Sequence, residues 1–258
     1  MTLVTYEKNE GIAVVTIDNP PLNVLSSQVK TELRAIVQEI AEDPAVVCMV
    51  LETAGSRAFV AGADIKEFPQ MIGDSDIRSK VMDMHELMFE IENLPKPTIA
   101  VLDGLTLGGG CELALAFDIR IAEEQVMLGF PEVNLGIFPG AGGTQRLPRL
   151  VGTAKAKEMM YTGEPISAEK AEQIGLVNEV VKTGEGRNVA MELAKKMARK
   201  SLQSLSRIKQ VVNKGMEMDL PESIEWEATL FEEVFQTDDV KEGVDAFINK
   251  RQPEFSHK

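Results

Sequence analysis

Basic residues are in short supply in this chain: 27 Lys and Arg stand against 41 Asp and Glu, a formal net charge of −14. A nucleic-acid surface needs clustered Lys and Arg to displace counterions, so this balance argues against one. It leaves room for a small anionic ligand, which backbone amides and a few lysines can hold. Cysteine is scarce, with Cys48 in an apolar strand-like run and Cys111 in a glycine turn. That usage predicts no disulfide and a reducing compartment. His85 and His257 are the only histidines, far apart in sequence, and neither cysteine belongs to a ligand pair, so no metal site is expected. No Gly-x-Ser-x-Gly nucleophile motif occurs. No uninterrupted apolar run reaches transmembrane length. The first residues, Met1 to Glu7, have neither a signal-peptide core nor an Arg-rich transit character, and a cytoplasmic protein is expected.

What the chain does have is 44% hydrophobic residues over 258 positions, enough to bury a sizeable core. Runs at 3–6 and 12–17 flank a polar stretch ending in Gly11 and predict a hairpin. Ser26 or Ser27 can cap a helix to about residue 42, with Val29, Leu33, Ile36, Val37 and Ile40 on one face. Asp43-Pro44 stops it, and 46–52 reads as a buried strand. Further strands at 99–102, 119–122 and 126–128, separated by short helices, continue this strand–strand–helix rhythm. From Gly184 onward the pattern is helical. Val189, Leu193 and Met197, then Leu202, Leu205, Ile208 and Val212, recur at helical spacing. Pro221 opens another helix, and 240–250 reads as the last. The composition shift near Gly184 divides the chain into a core at 1–184 and a helical region at 185–258.

The chemistry points to Gly108-Gly109-Gly110-Cys111-Glu112. A glycine run lets the backbone approach a ligand and leaves its N–H groups unshielded. An apolar run at 98–102 leads into this turn and a helix-like run at 112–116 leaves it. Exposed amides at a helix start suit an oxygen gaining negative charge. Glu112 lies just beyond them, and Glu132 follows the apolar stretch 126–130 and Pro131. Most glutamates are solvated or salt-bridged. Against that reading, two carboxyls in apolar surroundings hold a proton near neutrality, as acid–base work requires. Gly140-Ala141-Gly142-Gly143-Thr144 lacks the ending of a P-loop and the glycine spacing of a dinucleotide fingerprint. It reads as a tight turn into a helix at 145–150, bordering the pocket. Asp64, ahead of Ile65-Lys66-Glu67-Phe68, reads as a helix N-cap.

These segments resemble the crotonase (enoyl-CoA hydratase/isomerase) superfamily. Further matching motifs are Asn23-Val24-Leu25, the segments Phe59 to Glu67, Phe117 to Ala122 and Leu135 to Arg149, then Tyr161-Thr162-Gly163 and Ala168 to Val177. Their order spans nearly the whole chain. The resemblance implies an α/β fold class, a crotonase-like ββα spiral core followed by C-terminal helices used for trimerisation.

It also implies an enoyl-CoA hydratase, which adds water to a trans-2-enoyl-CoA to give a 3-hydroxyacyl-CoA, a step of the fatty-acid β-oxidation kind. In that scheme Glu112 holds and helps deprotonate the water, and Glu132 supplies a proton to the α-carbon. The amides of Ala63 and Gly109 form the oxyanion hole for the thioester oxygen. Substrate contacts are implied at Val24, Ala61, Asp64, Ile65, Leu107, Gly108, Pro131, Leu135 and Gly140. Two more are implied at Phe231, against adenine, and Lys250, against a phosphate; the alternatives are a core phenylalanine and a solvated lysine. No metal or redox cofactor is implied, coenzyme A being part of the substrate. The implied partners are the acyl-CoA thioester and further copies of the chain, as a homotrimer or homohexamer, with no nucleic acid and no membrane. Competing readings are another crotonase reaction, such as enoyl-CoA isomerisation or branched enoyl-CoA hydration, and a non-catalytic acyl-CoA-binding subunit. Family isomerases often keep only the carboxylate equivalent to Glu132, so Glu112 disfavours that branch.

Overall fold

Alternate residues of the strand Ile12–Ile17 face two different layers, and this alternation sets the architecture. Ala13, Val15 and Ile17 join the main core, whereas Ile12 and Val14 join a second, smaller one. The structure is a computed structural model and describes residues 1–257. In chain order its elements are β1 (Val4–Asn9), β2 (Ile12–Ile17), α1 (Ser27–Glu42), β3 (Cys48–Thr53), β4 (Ala58–Val60), α2 (Ile77–Glu92), β5 (Thr98–Leu102), β6 (Leu105–Leu107), α3 (Gly109–Leu115), β7 (Ile119–Glu123) and β8 (Met127–Gly129). There follow α4 (Gly143–Val151), α5 (Thr153–Thr162), β9 (Ile166–Ser167), α6 (Ala168–Gln173), β10 (Glu179–Val181), α7 (Gly186–Ala198), α8 (Leu202–Gly215), α9 (Leu220–Phe235) and α10 (Asp238–Ile248). Short 3-10 helices lie at Ile65–Gln70 and Pro131–Leu135.

Successive strand pairs feed two sheets, which is how a strand–strand–helix repeat winds into a spiral. One sheet has the order β1-β2-β3-β5-β7-β10, and the other β4-β6-β8-β9. The first is parallel except for the β1–β2 hairpin. In the second, β4, β6 and β8 are parallel and β9 is antiparallel. Parallel strands covered on both faces read as continuous apolar runs, and all of Cys48–Thr53 and Thr98–Leu102 is buried accordingly.

Helix α1 starts at the Ser26 cap, whose side chain accepts from Val29 N, and buries Val29, Leu33, Val37 and Ile40. Ile36, expected on the same face, is only partly buried against the core. The hairpin turn is tighter than the sequence reading, because β1 continues to Asn9 and polar Glu7 and Lys8 pair across the ladder. No helix separates β7 from β8; a turn at Glu124-Gln125 does. Strand β6 is three residues long, too short to show a period in the sequence.

The boundary at 184 falls in the loop before α7, yet α7 is part of the sheet's packing. Its Ala190 and Ala194 are fully buried against Ile12, Val14, Cys48, Val50, Ile99 and Val101. Small residues let this helix lie flat on a face that would otherwise be open. The helical region proper therefore begins with α8. There Ile208 and Val212, read as one stripe, are 61% and 56% exposed. No helix among the described residues is long and apolar enough to cross a membrane.

Candidate active site

Helix α3 sits where it does because Gly110 has no side chain. A Cβ there would stand 2.0 Å from the carbonyl oxygen of Val60 on β4. The preceding Gly108 has φ 51 and ψ −123, a conformation that L side chains rarely adopt. Together these glycines turn the chain from β6 into α3 and set Glu112 inside the protein, 3% exposed.

Glu112 is held by backbone alone. Its Oε1 accepts from Ala141 N at 2.7 Å and from Gly143 N at 2.8 Å. A Cβ on Gly143 would lie 3.1 Å from that oxygen, so the turn closes tightly over the carboxylate. Burial raises the carboxyl above its ordinary range, while the Gly143 and Ala141 amides and the charge of Arg146 pull it down. Neither Ala141 nor Gly143 was assigned this task from sequence. The signal was the glycine cluster at 140–143, read only as a turn bordering the pocket.

Glu132 lies in the turn opened by Pro131. Its Oε2 is buried and has no hydrogen-bond partner among the described residues. Burial pushes its carboxyl up to about 7; its own backbone amide opposes this and the charge of Glu112 adds to it. The carboxyl therefore holds a proton over much of the range near neutrality and can donate it. Oε1 rests against Gly108, where a Cβ would be 2.9 Å away.

Two free amides complete the cluster. Leu25 and Ala63 form a parallel bridge in which Leu25 N donates to Gly62 O and Asp64 N donates to Leu25 O. In that pattern the N–H of Ala63 itself points away from Leu25. Gly109 faces it, since a Cβ on Gly109 would be 3.4 Å from Ala63 N. Neither amide has an acceptor among the described residues. The Leu25 loop is pinned by Asn23, 3% exposed, whose Nδ2 donates to Ala54 O and Ala58 O.

The other expected contacts divide. Val24, Ala61, Leu107 and Pro131 are half-buried around these turns, and Gly140 opens the loop that holds Glu112. Asp64 caps the 3-10 turn by accepting from Lys66 N at 3.1 Å. Ile65 and Leu135 are 57% and 55% exposed. Phe231 is 62% exposed on α9, which removes the core alternative, and its ring lies 4.9 Å from that of Phe235. Lys250 is exposed just beyond α10 with φ 54. No hydrogen bond, ion pair or ring contact joins Phe231 or Lys250 to the glutamate cluster among the described residues.

Known proteins resemble this chain over nearly its full length. A family model described as enoyl-CoA hydratase/isomerase matches residues 7–258. The chain is 44% identical over 256 residues to a probable enoyl-CoA hydratase of Bacillus subtilis (strain 168), covering 99% of each. It is 42% identical over 252 residues to a short-chain-enoyl-CoA hydratase of Clostridium acetobutylicum, covering 97% of this chain and 96% of the other. The crystal structure of an enoyl-CoA hydratase from Bacillus anthracis superposes with a TM-score of 0.95 at 38% identity, covering 99% of this chain and 100% of that one. This chain belongs to the enoyl-CoA hydratase/isomerase family.

Proposed function

We propose that the protein is an enoyl-CoA hydratase, adding water across the double bond of a trans-2-enoyl-CoA. The observation that carries this reading is the pairing of buried Glu112 with half-buried Glu132, whose Oε2 is enclosed, beside two amides that lack acceptors. The Ala63 and Gly109 N–H groups suit a thioester oxygen that becomes enolate-like, and each such donor is worth about 3 kcal/mol in a transition state. Water adds through its oxygen to the β-carbon while Glu112 accepts a water proton. The π electrons pass to the thioester oxygen, and the enolate then takes a proton from Glu132 at the α-carbon. Glu112 ends protonated and Glu132 ionised, and solvent restores both. The addition changes no redox state, so the reaction calls for no redox cofactor, and the two amides take the role that a Lewis acid would otherwise fill at the thioester oxygen.

The finer features follow the same reading. The active form is a homotrimer or a dimer of trimers, supported by apolar residues exposed on α8 to α10, among them Val212 at 56% and Phe247 at 85%. The setting is cytoplasmic and reducing, which suits two buried, unpaired thiols, and the step belongs to fatty-acid β-oxidation. Purified protein should remove the conjugated-thioester absorbance of crotonyl-CoA and yield 3-hydroxybutyryl-CoA. No turnover across straight, branched and aromatic 2-enoyl-CoAs would sink the hydratase reading. Conversion of 3-enoyl to 2-enoyl esters without hydration would make it an isomerase.

A further inference from the structure

Arg146 is wrapped around the loop that holds Glu112. Its backbone N donates to Gly142 O at 2.8 Å, and its Nη1 lies 3.5 Å from Ala141 O. Gly142 has φ 110, and a Cβ there would stand 2.0 Å from Nη1. Only glycine lets the guanidinium lie this close to the peptide between the two amides that bind Glu112. The far side of the guanidinium is fixed by α2. Glu92 takes it in a fork, with Oε2 2.7 Å from Nη2 and Oε1 3.3 Å from Nε. Phe89, one turn earlier, lies beneath it, with Cζ 5.3 Å from the ring centroid. The Arg146 side chain is 12% exposed.

We propose that Arg146 is a positioning residue for Glu112: it clamps the 141–143 turn so that two amides converge on one carboxylate oxygen, and it sets a cation beside that carboxylate. A fork to one carboxylate and a stacked ring pre-organise the guanidinium, which a flexible ammonium would not match. The clamp ties α2 to α4, so the turn cannot relax without breaking the Glu92 pair. The groups facing Glu112 are Arg146, Glu132 and Cys111. Those facing Arg146 from α2 are Glu92 and His85, the latter with Cε1 3.9 Å from the Cβ position of Gly142. Lys209 of α8 lies within electrostatic range of Glu92. Against the desolvation of Glu112, the guanidinium acts in the direction that keeps it ionised.

The inference rests on Glu112 being the base of the proposed hydration, but its first readout needs no turnover. Protein labelled with carbon-13 at the glutamate carboxyls is titrated by NMR, and Glu112 is assigned as the resonance missing in Glu112→Gln. In Arg146→Gln its midpoint should rise by about one pH unit, because a nearby cation favours the charged form. An unchanged midpoint overturns the proposal, whatever reaction the protein catalyses. Arg146→Lys keeps the charge and loses the fork. Its midpoint should stay near that of the unmodified protein while kcat falls about tenfold with KM little changed. Unaltered kcat in that variant overturns the clamp. Should Arg146→Gln not fold, Glu92→Gln carries the test: with the fork broken the 141–143 turn is released, so kcat should fall about tenfold with KM little changed, and an unaltered kcat overturns the proposal. If the unmodified protein hydrates no enoyl-CoA, the functional reading fails while the titration result stands.

Discussion

Gly108 is the floor on which Glu132 rests: a Cβ there would stand 2.9 Å from its Oε1. The clash is with the end of a flexible side chain, so the protein can relieve it by moving the carboxyl. Gly108→Ala should therefore fold, at a cost of about 1–3 kcal/mol for its positive φ. It should lose about 10²-fold in kcat, because displacement of a proton donor by an ångström is that expensive. Steady-state kinetics with crotonyl-CoA check this, and wild-type kcat in a folded Gly108→Ala protein would separate Glu132 from the chemistry.

The carboxyls themselves can be tested by isosteric replacement. Glu112→Gln and Glu132→Gln keep size and remove proton transfer, so each should lower kcat by about 10²-fold or more and leave KM nearly unchanged. The pH dependence identifies the donor. Glu132 sits at about 7 against an ordinary 4.5, so kcat/KM should decline as pH rises through about 7. Stability moves in the same sense. Between those two values the folded protein keeps a proton that the unfolded chain has lost, so stability falls as pH rises through the window. Urea unfolding from pH 5 to 8 should show that decline in the parent and a flatter profile in Glu132→Gln. Equal slopes would place the raised carboxyl elsewhere.

Much of this site is legible in sequence because its side-chain chemistry and its backbone signals coincide. The glycine triplet marks a turn needing bare backbone, Glu112 follows in the same helix, and Pro131 marks the turn that carries Glu132. Ser26 and Asp64 read correctly as caps because the bond they make is two or three residues away. What was not legible is what reaches Glu112 across 29 and 31 residues. Those donors are main-chain N–H groups, which every residue but proline possesses, and no side-chain identity points to them. The packing of α7 on the sheet was hidden for a related reason. Helix α7 has the composition of the later helices, and only its small residues Ala190 and Ala194 distinguish a helix lying on a sheet from one facing outward.

Gly110→Ala addresses the joint between α3 and β4. The added methyl would stand 2.0 Å from Val60 O and 2.8 Å from Val60 C, and backbone cannot move aside as a side chain does. Overpacking of this kind costs about 3 kcal/mol, while alanine gains about 1 kcal/mol over glycine in a helix. The loss wins by about 2 kcal/mol. A lower urea midpoint with an unchanged m-value should record it. A neutral or stabilised variant would show that α3 does not approach β4 this closely.

The last prediction concerns assembly. Phe231, Phe235 and Phe247 are 62%, 56% and 85% exposed in a single chain, the first two on α9, which packs on α8, and the third on α10, the next helix in the chain. Isolated exposed apolar residues are ordinary, but several aromatics on neighbouring helices mark a surface that another protein covers. Under the proposed function that cover is a second and third copy of this chain, so light scattering should give a multiple of three subunit masses. Because no bond ties Lys250 to its own chain's glutamates, a role in coenzyme A binding would have to be exerted on the nucleotide end of the ester, at a distance from the reacting carbons. Phosphate contacts of that kind are alike in ground and transition states, so Lys250→Ala should raise KM several-fold and leave kcat close to wild type. Phe231→Ala should act likewise if the ring packs on adenine. If instead Phe231 only helps hold copies together, its loss should lower the measured mass and leave KM of the remaining assembly unchanged. A fully active monomer at assay concentration would remove the trimer, and an unchanged KM in Lys250→Ala would remove that lysine from the coenzyme A site.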